Sequence, residues 1–132
     1  MKETFTHENL DVYCCSVDFL VIADEVAGSL QRGRGYLSEQ LRRAATSITL
    51  NIAEGAGEFA RPEKSRFYRI AKRSTTECAA ILDVCDRLGL SDSELLLQGR
   101  ALLLRIVAML TRLVQSDADS GADADSGVSA TS

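Results

Sequence analysis

In the stretch "QLRRAATSITLNIAEGAGE", residues 40–58, Leu41, Ala44, Ala45, Ile48 and Ile52 return at three- and four-residue intervals, the spacing that sets side chains on one face of a helix. Period-two runs of β-branched residues, the mark of a half-buried strand, are absent from the chain, and Pro62 is its only proline. Little except glycine interrupts a helix, so the chain is expected to be all-α, with four long helices. The first spans about Asn9 to Gln31 and ends in "RGRG", where Gly33 and Gly35 allow positive φ. The second covers about Leu37 to Glu54 and stops at Gly55 and Gly57. Pro62 and Glu63 suit the first turn of a third, which reaches Leu88 and stops at Gly89. The spacing of "SDSE", Ser91 to Glu94, is that of a capping box, and starts a fourth helix that runs to about Gln115.

Breaks of a few residues turn each helix back along the one before, which predicts an antiparallel up-down-up-down four-helix bundle. With 132 residues and 45% apolar side chains the chain supports one core. Residues 9–116 are expected to form the bundle and residues 1–8 a flexible N-terminus. Residues 117–132 read as a disordered acidic tail, because their low-complexity sequence offers too little apolar surface to offset ordering entropy. No apolar run is long enough to span a bilayer, and "MKETFTHENLD" lacks the apolar segment of a secretory signal, so no membrane partner and a cytoplasmic location are expected.

Two helices carry more apolar surface than one core needs. In the fourth, Leu95, Leu102, Ile106, Met109 and Leu113 form a stripe expected to face the core, and Leu96, Leu103, Val107, Leu110 and Val114 add a second arc roughly 100° away. In the first, Leu10, Tyr13, Val17, Leu20 and Val21 face one way and Val12, Phe19, Ala23, Val26 and Leu30 the other. Leu50 points away from the core stripe of the second. Contiguous apolar patches of this kind mark interfaces. A homo-oligomer is therefore expected, joined through Val12, Phe19, Val26, Leu50, Leu96, Leu103, Val107 and Val114.

The net charge of −4 hides a segregation: residues 1–30 sum to −5, residues 58–75 to +4 and residues 117–132 to −4. Arg66, Arg69 and Arg73 recur at i, i+3 and i+7 on the third helix, with Lys72 beside them and Arg61 and Lys64 at its start. Such a ridge is suited to phosphate contact, which makes RNA or DNA the expected partner. Of the neighbouring aromatics, Phe67 is expected to point inward. At about 1.5 Å rise per residue, Glu77 falls level with Arg42 and Arg43 and is expected to pair with them, and Ser74 falls level with Ser47. Asn51 and Glu54 lie nearer the turn, where they are expected to fix its conformation or an inter-subunit contact.

Residues able to do chemistry are few. His7 is the only histidine, and nothing near it completes a nucleophile–base pair. Cys78 and Cys85 share the core stripe of the third helix with Phe67, Ile70, Ser74 and Ile81, and read as small hydrophobes. With Cys14 and Cys15 adjacent, the four cysteines lack the Cys-x2-4-Cys clips of a zinc site, and "EGAGEFARPE" lacks the lysine and hydroxyl of a phosphate loop. No catalytic residue, metal or cofactor is expected, and the chain reads as a binding protein rather than an enzyme.

"ENLDVY", "LRRAATSITLNIAEG" and "FYRIAKRSTTECAAIL" together resemble the four-helix bundle proteins of intervening sequences in bacterial 23S ribosomal RNA genes, over roughly Phe5 to Leu113. The resemblance implies an antiparallel bundle assembled as a homopentamer. It also implies a fold similar to the accessory variability protein of diversity-generating retroelements, a basic pentameric bundle that binds a reverse transcriptase and nucleic acid. A reverse transcriptase or another protein is thus a second expected partner, served by a protein-interaction module. Two positions depart from the family pattern: Thr49 stands where a proline is usual, which should straighten the second helix, and Arg73 where a glycine is usual.

Overall fold

The computed structural model describes residues 3–30 and 32–124, with side chains described through residue 116. A short 3-10 turn, Thr6–Asn9, leads into four α-helices: α1 Asp11–Ser29, α2 Gly35–Gly57, α3 Arg61–Arg87 and α4 Ser93–Ala124. Helical backbone in α4 thus continues past residue 116, and residues 125–132 lie outside the described residues. No strand is present among the described residues, and no helix among them is long and apolar enough to cross a membrane.

Helix ends follow backbone chemistry. Gly33 takes φ +93° in the α1–α2 turn and Gly89 takes φ +64° after α3, while Gly35 opens α2 instead of turning. Around Gly89 the Leu90 N–H donates to Cys85 C=O at 2.9 Å and the Gly89 N–H to Asp86 C=O at 3.1 Å, closing α3 in a left-handed glycine stop. Gly55 is not a stop but lies within α2, which runs on to end at Gly57 as expected. Ser91 does not cap the helix as expected: α4 begins at Ser93, with the Asp92 carbonyl accepting from Leu96 N–H, and the Ser91 hydroxyl lies 3.4 Å from Ser29 Oγ.

Each helix packs on two others: α1 on α2 and α4, and α3 on α2 and α4, while the two diagonals do not approach. Between α1 and α2 the bonded pairs are Ala27 with Ser38, Asp24 with Arg42 and Ser16 with Thr49. Between α2 and α3 they are Gln40 with Glu77, Ser47 with Ser74 and Gly55 with Lys64. Phe19, Leu41, Ile48, Ile52, Leu103, Ile106 and Leu110 fill the centre and are fully buried or nearly so.

The packing corrects the expected interface. Val12, Phe19, Val26, Leu96 and Leu103 lie in the core of the single chain. On α1 the reason is local: Cys15, Ser16, Ala23 and Ala27 share their face and let neighbouring helices approach, whereas Val17 and Val21 sit among Asp18, Asp24 and Glu25, whose charges hold that side in water. On α4 the core lies between the two arcs, so Ile106 is buried, Leu95, Leu102, Met109 and Leu113 are half-buried, and Val107 and Val114 are half-buried too. Of the expected interface, Leu50 is the residue left open, at 58% exposure.

Candidate nucleic-acid interface

Pro62 sits in the first turn of α3, where a missing N–H costs no hydrogen bond, and Glu63 follows it. From there the buried face runs through Tyr68, Ala71, Thr75, Cys78 and Leu82, which turns Arg66, Arg69 and Arg73 to the opposite, solvent side. Arg61 is exposed at the helix start and Lys72 is half-buried on its flank. Arg66 is the tethered member: its Nη2 lies 3.1 Å from Glu63 Oε2, and its guanidinium lies 4.5 Å from the centre of the Phe67 ring. Phe67 therefore belongs partly to the surface, and Tyr68 is the aromatic that goes inside.

Lys64 is not part of this outer face. Its ammonium donates to Gly55 C=O at 3.0 Å and Ala56 C=O at 3.3 Å, neutralising the carbonyl end of α2. A cation in the first turn of the next helix is placed to reach back across a three-residue turn, and that is the sequence signal that would have identified it.

The polar residues between helices divide in the same way. Ser47 and Ser74 meet at 2.9 Å between hydroxyls, as their level on the two helices predicts. The Asn51 amide donates to Ser47 C=O at 2.8 Å and to Ser47 Oγ at 3.1 Å, holding that pair rather than the turn. The expected pairing of Glu77 with Arg42 and Arg43 does not form. Arg42 reaches across to Asp24 of α1 at 3.2 Å, Arg43 pairs with Glu39 on its own helix at 2.8 Å, and Glu77, exposed, accepts from Gln40 at 3.5 Å. Rise along the axis sets these residues level, but their angular positions aim them apart. Glu54 is exposed. Buried Thr49 donates to Ser16 Oγ at 3.1 Å, and Ser16 donates to Tyr13 C=O at 2.7 Å, a link between α1 and α2 that apolar periodicity gives no sign of.

All four cysteines are free thiols, with Cys14 exposed and Cys15, Cys78 and Cys85 buried. Burial pushes the Cys78 thiol up to about 12, with the Glu77 carboxylate adding to the effect, and burial likewise raises Cys15 and Cys85. Thiols held neutral in this way act as packing groups. His7 is stacked on Phe5 and tilted against Tyr13 at 4.6 Å between ring centres, where it pins the segment before α1.

A comparison with curated proteins finds no match. The model of the family described as 23S rRNA-intervening sequence protein matches residues 8–112, from the turn before α1 well into α4. The chain belongs to the 23S rRNA-intervening sequence protein family.

Proposed function

We propose that this chain is a non-enzymatic, homo-oligomeric protein of the cytoplasm that binds nucleic acid through the outer face of α3. The observation that carries the reading is that Arg69 and Arg73 are exposed on one face, with no ion pair to either among the described residues, and with Arg61, Arg66 and Lys72 around them. Guanidinium groups without protein anions are free to replace the counterions of a phosphate backbone, a contact that reads charge and spacing rather than base sequence. An antiparallel up-down-up-down arrangement, supported by partner numbers that fall on one helix as they rise on the next, sets the α3 face at a corner of the bundle. Repetition around an oligomer, five protomers by the resemblance above, multiplies the ridge into a basic surface on an acidic protein.

The competing reading is a protein-docking module, such as an accessory subunit of a reverse transcriptase. It draws on Phe59, 99% exposed in the turn beside Arg61. Fluorescence anisotropy of a labelled RNA hairpin and a DNA duplex, titrated with the full chain at low and high salt, separates the two. Binding that weakens as salt rises supports the ridge, and no binding to either at low salt overturns it.

A further inference from the structure

Among the described residues Phe59 is the large apolar side chain most open to water, at 99% exposure, and it stands in the turn that leads into the basic face of α3. A ring left in water contributes nothing to the fold by burial. The other open aromatics have partners: Phe5 stacks on His7 at 5.8 Å between ring centres, the Tyr36 hydroxyl accepts from Arg34 at 3.2 Å, and Phe67 lies under the Arg66 guanidinium. Phe59 makes no ring or cation contact among the described residues.

The turn that carries this ring is held from both sides. Glu58 N–H donates to Gly55 C=O at 3.2 Å, Lys64 N–H donates to Ala60 C=O at 3.0 Å, and the Lys64 ammonium ties the first turn of α3 to the end carbonyls of α2. Pro62 fixes its own φ just beyond. Phe59 is therefore presented on a set backbone, and a flat partner that covers it costs little further ordering of the chain.

From the turn the cations run on along α3. Arg61, Arg66, Arg69 and Arg73 are exposed, and Glu63, the acidic residue among them, is taken by Arg66. At about 1.5 Å per residue the run from Arg61 to Arg73 is about 18 Å long, room for a strand of a few nucleotides. Phosphate contact alone does not separate a duplex from a single strand. An exposed ring does, because the base faces of a duplex are closed against one another, whereas an unpaired base of any identity offers its face to an aromatic side chain.

We propose that the nucleic acid held by this face is an unpaired strand, with one base stacked on Phe59 and the neighbouring phosphates on the arginines of α3. The inference rests on the nucleic-acid reading above and names its substrate class. Stacking and phosphate contact respond to different changes: salt acts on the arginines, and loss of the ring acts on the base.

The chain contains no tryptophan, so Phe59→Trp sets a single indole at the site, and its emission reports a base lying on it. The probes are an oligouridylate and an oligothymidylate, each about 12 nucleotides long, a length within single-strand site sizes, and a duplex of the same length. Both single strands should quench the indole and bind more tightly than the duplex, and the tighter of the two separates RNA from DNA. By anisotropy, Phe59→Ala should weaken single-strand binding roughly tenfold and leave both the duplex affinity and the salt slope unchanged, while Phe59→Trp keeps the wild-type affinity. Circular dichroism checks helix content, and should Phe59→Ala lose helix, Phe59→Leu, which keeps apolar bulk without the ring, is scored in its place. Equal binding of strand and duplex, unquenched emission at saturation, or a ring-less variant as tight as the wild type overturns the unpaired-strand inference alone and leaves Phe59 to the protein-docking reading. No binding of strand or duplex at low salt overturns the nucleic-acid reading as well.

Discussion

The ring of Tyr68 lies against the backbone of Gly55 so closely that a Cβ on that glycine would sit 2.7 Å from Tyr68 Cε1 and 3.3 Å from the Lys64 carbonyl oxygen. Gly55 thus lets the start of α3 seat a buried aromatic on the end of α2. Gly55→Ala is expected to destabilise the fold by about 1–3 kcal/mol through overpacking, despite its gain in helix propensity. Gly57→Ala, which meets nothing within 4 Å, should be neutral or slightly stabilising. Urea midpoints of the two variants check the contrast, and combining Gly55→Ala with Tyr68→Leu should recover part of the loss.

The Thr49–Ser16 link predicts an asymmetry. Ser16→Ala removes the acceptor of a buried hydroxyl and should cost about 1–3 kcal/mol, whereas Thr49→Val leaves Ser16 still donating to Tyr13 C=O and should cost about 0.5–1.5 kcal/mol. Denaturant unfolding of both variants, side by side, reads the difference.

Cys78 predicts a loss of stability in alkali. Its folded thiol ionises near 12 rather than at the ordinary 9.0, so the unfolded chain releases this proton first as pH rises. The stability tied to the neutral thiol is complete below pH 9 and is lost as pH climbs toward 12, on the order of 2 kcal/mol at pH 10.5. Urea unfolding at pH 8 and pH 10.5 should show a smaller drop for Cys78→Ala than for the wild type.

Much of the fold was legible because it rests on local rules. The stop at Gly89, the Pro62 start of α3 and the Ser47–Ser74 level follow from φ preferences, a missing N–H and helical rise. The rotation of α1 was not, because both of its arcs are apolar and hydrophobicity alone cannot choose between them. The choice came from small residues around Phe19 and carboxylates around Val21, which are packing and solvation effects spread over several turns. At the candidate interface, the outward turn of Arg66, Arg69 and Arg73 follows from periodicity. The diversion of Lys64 to the α2 carbonyls does not, since it depends on how the α2–α3 turn brings the helix ends together.

If the outer face of α3 meets phosphate as proposed, the four aspartates of residues 117–132 are expected to compete with it for the arginines. Deleting residues 117–132 should tighten RNA binding at low salt, and the difference from the full chain should shrink as salt rises and screens the competition. Anisotropy titrations of both chains at two salt concentrations check it.

The salt dependence of RNA affinity, measured for the wild type and for a chain with Arg66→Gln, Arg69→Gln and Arg73→Gln together, tests the proposed role of α3 most directly. The account predicts weaker binding by the variant and a slope of log affinity against log salt shallower by about 2, since each lost phosphate contact removes about 0.7–0.9, with helix content and protomer number unchanged. Equal affinity and equal slope in the two chains would contradict it.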